Sequence, residues 1–429
     1  MHKSRTLGKA SSCKIYIFLL LLCITGFIGF YRYLPGSSTL YSNDYYYITA
    51  FMVTIMFLLG RVLNNRKLKI NGLFLKHGAL LVLLMLVEII STYFIVHQPI
   101  ILTIKEAFYY IVPIAAYITI IQFKDINHSG FLNEVFDMIV SFSTVCSIVA
   151  IIAFLLNTYN GFNILRLNIT LDSYRNGTLR FNVGGIVLYL GVFISIIKLI
   201  ERDFSWKHII NIAVCAYQII FINKTRTVML YIVAVIAISI LNERKLKKSI
   251  RILMWLIIVV SIVGAFVFSD SVNTTVTSYL YSDAGFMMRL RAIEHYMNQF
   301  AQYPILGIGL ISSSQDISGW QLLYGSEGRF FRGDVGVIGL LNEFGILGLL
   351  WVVVFFLKTF KEIKGMHDLA SQICRCLLWF LLISMINLSF MDNNRCMYIF
   401  FAFAFIECIK RNRKASESII ETDTREFEL

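Results

Sequence analysis

Charge is scarce in this chain. Asp, Glu, Lys and Arg make up 15% of its 429 residues, whereas 57% are hydrophobic and 14% aromatic. The mean hydropathy is +0.71. A soluble protein of this length needs far more polar surface, so the soluble classes are excluded. Also missing is a cysteine framework. Cys13, Cys23, Cys146, Cys215, Cys374, Cys376, Cys396 and Cys408 all fall in or beside apolar runs. A disulfide scaffold is therefore not expected, and Cys374/Cys376 have neither the spacing nor the second pair of a zinc site. No metal and no cofactor is expected. Nucleic acid is excluded as well, despite a formal net charge of +13. The basic residues sit in short segments between apolar runs, where they orient a membrane protein.

What the chain does have is a series of apolar runs of bilayer length, about 17–25 residues where complete. About twelve can be counted, near 15–31, 45–60, 76–96, 100–121, 138–156, 183–200, 208–222, 227–241, 252–268, 335–357, 377–391 and 396–409. The first is long for the apolar region of a signal peptide and lacks a small-x-small cleavage site, so it reads as a membrane helix. With the N-terminus cytoplasmic, the inner segments collect 27 of the 39 Lys and Arg and the outer segments 12. That asymmetry predicts both termini inside and the longest polar interruption, 269–335, outside. The expected fold is an all-α polytopic membrane protein with about twelve transmembrane helices in one domain over 1–429. It carries one large extracytoplasmic loop with short amphipathic helices. The mixed-charge cytoplasmic tail, 410–429, is expected to be disordered.

Lysine is nearly absent from the predicted outer face. Ten of its twelve basic residues are arginine: Arg32, Arg166, Arg175, Arg180, Arg226, Arg289, Arg291, Arg329, Arg332 and Arg395. Only Lys105 and Lys224 are lysine, whereas lysine leads seventeen to ten inside. Guanidinium is a planar fork that binds phosphate or carboxylate in bidentate fashion, so the bias predicts an anion site, with a diphosphate the obvious occupant at a membrane surface. The alternative is headgroup contact and loop salt bridges. Arg226 closes a tight joint, 223–226, and is expected at the outer mouth of the bundle, where a charge needs a wet cavity or a partner.

Within the long loop, 283–303 reads as a helix capped by Asp283 and stopped by Pro304. Phe286, Leu290, Ile293, Met297 and Phe300 give one apolar stripe. Arg289 flanks that stripe and Arg291 lies well round the helix, so the two do not easily serve one small site. An interfacial helix with snorkelling arginines is the alternative. His295 falls on the polar face and reads as solvated. Gly307 and Gly309 read as a turn. Arg329 to Asp334 then runs straight into the tenth apolar run. Asp334 can act as a general base, an arginine orienter or an N-cap. Glu343 lies nine residues further on, inside an apolar helix, where a carboxylate is either functional or paired with an arginine.

Three pieces of this sequence resemble the O-antigen polymerase and O-antigen ligase superfamily of bacterial polytopic membrane proteins. Thr225-Arg226, opening an apolar helix, is similar to the family's Ser/Thr-Arg. Arg289 followed by Pro304-Ile-Leu-Gly307-Ile-Gly309 looks like its Arg…Pro-x-x-Gly-x-Gly segment. Asp334 with Glu343-Phe-Gly345-Ile-Leu-Gly348 resembles its closing His…Glu-x-Gly-x-x-Gly segment. The match covers about 220–357. Ligase members tend to carry histidine where this chain has Asp334, which favours the polymerase branch.

The resemblance implies a GT-C-like glycosyltransferase architecture in the bacterial cytoplasmic membrane, facing the periplasm or the exterior. The implied activity is metal-independent polymerisation of undecaprenyl-diphosphate-linked oligosaccharide repeat units into O-antigen, capsular or exopolysaccharide. It names Asp334, Arg289 and Arg226 as catalytic, with Arg332, Arg329, Arg291, Arg180 and Glu343 binding the diphosphate or glycan. Membrane lipid and a chain-length regulator protein are the further expected partners. Two other readings stand beside it, a ligase and a flippase of the same lipid-linked sugars. No half-repeat of the transporter kind is visible in the sequence.

Overall fold

The computed structural model describes residues 4–25, 42–64, 67–68, 71–128, 130–165, 174–175, 178–180, 184–201, 205–241, 284–314, 316–326, 328–393 and 395–427. These residues form a helical protein. The helices are α1 (Ser4–Ile24), α2 (Ser42–Leu63), α3 (Leu75–Val96), α4 (Ile100–Ile120), α5 (Phe131–Asn160), α6 (Gly185–Ile200), α7 (Trp206–Tyr217) and α8 (Arg226–Leu241). Then follow α9 (Ala284–Gln302), α10 (Ile317–Tyr324), α11 (Val337–Ile363), α12 (Leu369–Ser384) and α13 (Met397–Phe427). The strands among the described residues are two-residue pieces, Tyr174–Arg175 and Thr178–Leu179, paired antiparallel.

Five described helices are long and apolar enough to cross a membrane: α3, α4, α5, α11 and the 45–63 portion of α2. Four shorter apolar helices accompany them, at Ser12–Ile24, Gly185–Ile200, Thr227–Ser239 and Leu369–Ser384. The expected run at 252–268 lies outside the described residues, as does Asp283. At the C-terminus the structure differs from the expectation. Instead of a disordered tail after residue 410, α13 continues as helix to Phe427. Its Ala, Glu, Ser and Ile content carries enough helix propensity for the buried first half to propagate outward.

The distribution of polarity fits a lipid solvent. Leu80, Leu83, Leu86, Ile90 and Phe94 of α3 are exposed, at 53, 55, 53, 60 and 70%. The same helix buries His77, Glu88, Ser91 and Thr92. A helix in water does the opposite. In a bilayer, outward apolar side chains cost nothing and inward small or polar ones join helices. The contact between α5, α6 and α7 is built this way. Asn211 donates to Val140 O (3.1 Å), Ser143 Oγ (2.6 Å) and Thr144 Oγ1 (2.8 Å) and accepts from Ser195 Oγ (3.0 Å). A side chain at Gly191 would meet Ser143 Oγ at 2.0 Å, so the glycine sets that approach.

The first half of α13, Met397–Ile409, is buried at every residue and apolar except for Glu407. It packs on α4, α12 and α11. Phe403 stacks on Phe74 at 4.4 Å. At one end of α4, Glu407 accepts hydrogen bonds from Tyr117 Oη (2.8 Å), Leu73 N (2.8 Å) and Arg411 Nε (2.6 Å). This buried carboxylate ties α13 to α4 and to the chain entering α3. Two turns away along α4, at Tyr110, the bundle opens into the candidate site.

Candidate functional site

Glycine shapes the site. Inside α11, Gly345 has φ 60° and ψ −156°, which breaks the helical path. The break leaves carbonyls and amides of α11 without intrahelical partners, and the 304–309 segment supplies them. Ile308 N donates to Asn342 O (2.8 Å) and Gly309 N to Glu343 O (3.1 Å). In the other direction, Ile346 N donates to Pro304 O (2.9 Å) and Leu347 N to Ile305 O (3.2 Å). Buried backbone groups must be paired, so an irregular segment docked into a broken helix solves both segments' problem at once. Gly307 and Gly309 have φ +73° and +86°, and a Cβ on either would lie 2.5 Å from Asn342 O or 1.9 Å from Thr92 Oγ1. The two glycines read from sequence as a turn do lie at one: residues 304–306 form a turn, Gly307 N donates to Tyr303 O (2.8 Å), and the segment is inserted into the break. This part of the predicted outer loop is embedded in the bundle rather than lying over it.

The segment goes on to bond α3 and the residues that join α3 to α4. Leu310 N donates to Thr92 Oγ1 (2.9 Å), Ser312 N to Gln98 Oε1 (2.8 Å) and Gln98 Nε2 to Leu310 O (2.9 Å). On the other side of the break, Gly336 allows Val337 N to reach Met385 O at 2.9 Å, and Ser389 N reaches Gly333 O at 3.2 Å. Residues 333–337 and 385–395 are held together by these bonds.

A cavity of about 280 Å³ opens between these elements. Of the eight residues expected from sequence, three line it: Arg332, Asp334 and Glu343. Arg332 Nη2 lies 3.1 Å from Glu343 Oε1, both side chains being largely buried, and Arg332 Nη1 donates to Gly309 O at 3.1 Å. Glu343 also accepts from Tyr110 Oη at 3.0 Å. Of the two roles open to Glu343, the structure places it with an arginine. Burial opposes the charge on Arg332, but Glu343, Tyr110 and Tyr296 beside it outweigh burial and push its pKa above the ordinary arginine value. The guanidinium is therefore charged at any working pH. Asp334 lies 3.6 Å from Arg395. Arg395 is held in turn by Asp392 (3.4 Å) and by the carbonyl of Gly333 (3.0 Å).

The other expected residues lie elsewhere. Arg289, half-buried, is not among the lining residues; its charge acts on Tyr231, whose hydroxyl bonds Asn387. Arg291 and Arg329 are exposed, and Arg180 is half-buried outside the cavity wall. The side chain of Arg226 lies outside the described residues. Its neighbour Thr225 interacts with Tyr189, which also feels the charge of Arg395. The conformation before α8 is a π-helical stretch, Gln218–Asn223, followed by Lys224 at φ 51°.

The structure corrects two readings of α9. Leu290, in the predicted apolar stripe, is 42% exposed, and the buried positions are Ala292, Tyr296 and Gln299. His295 is not solvated: its Nε2 lies 3.0 Å from Leu322 O and 2.9 Å from Gln299 Nε2. Tyr296 Oη donates to Leu323 O at 2.5 Å and Gln299 Oε1 accepts from Asn342 Nδ2 at 2.8 Å. The carbonyls at the end of α10 lack intrahelical partners and the polar edge of α9 docks on them, while Ile293 is the member of the stripe that packs with Phe330 and Val335. Arg289 lies three and seven residues before Ala292 and Tyr296, on that docked face.

Sequence reasoning placed Lys105 and Arg395 on the outer face but did not single them out as site residues, and both line the cavity. It missed Glu106, Tyr109, Tyr110, Asp392 and Asn393, which line it too. A signal was available in Asp392-Asn393-Asn394-Arg395, a polar knot between two apolar runs. Tyr109 and Tyr110 gave none, because tyrosine in an apolar helix is ordinary. The cavity thus joins three cations, Lys105, Arg332 and Arg395, with four carboxylates and with tyrosine and phenylalanine walls. Such a lining can orient hydroxyl groups and meet a negative charge in one place. In comparisons with known proteins, no family model and no curated protein matches the chain.

Proposed function

We propose that this protein is a membrane glycan polymerase that joins undecaprenyl-diphosphate-linked oligosaccharide units at the outer face of a bacterial cytoplasmic membrane. The observation supporting the reading is the convergence of Arg332, Asp334, Glu343 and Arg395 on one cavity at the junction of loop and bundle. In the proposed reaction an acceptor sugar hydroxyl attacks the anomeric carbon of the donor. The new oxygen–carbon bond forms as the carbon–oxygen bond to the diphosphate breaks, and the diphosphate leaves with the electron pair. Asp334 takes the hydroxyl proton and passes it to solvent. Arg332 and Arg395, already fixed by carboxylates, meet the charge growing on the leaving group without reorganising. Glu343 and Asp392 hold those arginines, and Arg289 acts from the docked face of α9.

The test is a pair of substitutions in cells making the polysaccharide. Asp334→Asn removes the proton acceptor, and Arg395→Lys keeps the charge while removing the fork. Both are expected to reduce long-chain polymer to single units, with normal protein levels and lipid-linked units still reaching the outer leaflet. Unchanged ladders in both variants refute the assignment. Lipid-linked units trapped on the cytoplasmic side would point to a flippase instead.

A further inference from the structure

Beside the cavity, and not lining it, α3 carries a carboxyl that the proposed reaction does not use. Glu88 is fully buried, at 0% exposure, in the middle of an apolar helix. Neither of its side-chain oxygens has a hydrogen-bond partner among the described residues. The charged groups that act on it are Glu343, on α11, and Arg332. From α4, the other helix packed on α3, Glu106 and Tyr110 act on the Arg332–Glu343 pair. One turn beyond Glu88, Thr92 receives the inserted segment at Leu310 N, next to the Gly309 carbonyl that Arg332 holds.

The charge arithmetic of this group is unbalanced. Arg332 and Tyr110 both serve Glu343 at the cavity wall, whereas Glu88, wholly buried behind it, has a donor from neither. An ionised carboxylate with no donor in such a place is among the costliest groups a protein can bury, and two carboxyls sharing a site do not both ionise. A single proton makes the cluster neutral. It belongs on the oxygens to which nothing donates.

We propose that Glu88, Glu343 and Arg332 form a one-proton site, in which Glu88 is a neutral carboxylic acid and Glu343 the ionised partner of Arg332. The two carboxyls are coupled through the arginine they share. If Glu343 no longer needs Arg332, Glu88 can take its place as the ionised partner and give up the proton. The site is independent of which glycan the protein handles, and even of whether it is a transferase.

The test is infrared difference spectroscopy on the purified full-length protein in detergent at neutral pH. A protonated carboxyl without hydrogen bonds has a carbonyl stretch well separated from that of a carboxylate. The wild-type protein is expected to show this band, and Glu88→Gln, which mimics the neutral acid in shape, is expected to lose it while keeping the wild-type melting profile. Glu343→Gln leaves Glu88 intact and is expected to lose the same band, because Arg332 then pairs with an ionised Glu88. Absence of the band from the wild type overturns the proposal, as does its survival in Glu88→Gln. Persistence of the band in folded Glu343→Gln overturns the sharing of one proton.

Discussion

Gly309→Ala probes the joint between the inserted 304–312 segment and α3. The residue has φ +86°, which costs an L-residue about 1–2 kcal/mol. Its new Cβ would also lie 1.9 Å from Thr92 Oγ1, 3.0 Å from Thr92 Cβ and 3.3 Å from Thr92 Cα. The last of these is backbone, so rotating the threonine does not fully relieve the overlap, and forced packing adds about 1–3 kcal/mol. Rotation would in addition remove the bond from Leu310 N, worth about 1 kcal/mol. The expected destabilisation is about 3–5 kcal/mol, a large share of a typical folding free energy. Gly161→Ala is the control. That residue has φ +65° with nothing within 4 Å of its Cβ, so only the backbone cost of about 1–2 kcal/mol applies. All eight cysteines are buried and none is in a disulfide. A thiol-reactive fluorophore therefore reports unfolding as detergent-solubilised protein is heated. Gly309→Ala should melt well below Gly161→Ala and should also lose polymer in cells, because the carbonyl that Arg332 holds belongs to residue 309. Equal melting temperatures for the two variants would refute the claim that this segment is locked into the bundle.

Two further outcomes follow from the same contacts. In a Glu88→Gln background, Glu343→Ala leaves Arg332 buried with neither carboxylate and should cost about 3–5 kcal/mol, whereas the double variant Glu343→Leu/Arg332→Met in that background should be milder in melting temperature although equally inactive. If the double variant is the less stable, the pair is not the buried ion pair described. Tyr110→Phe removes one donor to a charged acceptor and is expected to cost about 1.5–3 kcal/mol, read by the same thermal assay, with a smaller effect on polymer length than Asp334→Asn. A Tyr110→Phe variant that melts like the wild type would show that its hydroxyl does not support Glu343.

Composition and the spacing of apolar runs determined that this is a helical membrane protein, because a bilayer admits few ways of satisfying a backbone and long apolar runs announce one of them. The same linear signal located α3 and α4 to within a residue, found the central parts of α5 and α11 while missing the start of the first and the end of the second, and picked out Arg332, Asp334 and Glu343, since charges at the ends of or inside apolar segments are costly enough to stand out. It did not reveal which of two roles Glu343 plays, that His295 and Tyr296 dock through the polar edge of their helix, or that Gly307 and Gly309 enter a break at Gly345. Those are matters of pairing between segments distant in the chain, where a hydrogen-bond partner on another helix outranks local amphipathicity. Only the tertiary structure joined Tyr110, Arg395 and Asp392 to the same cavity, and set a second carboxyl, Glu88, behind it with no donor of its own.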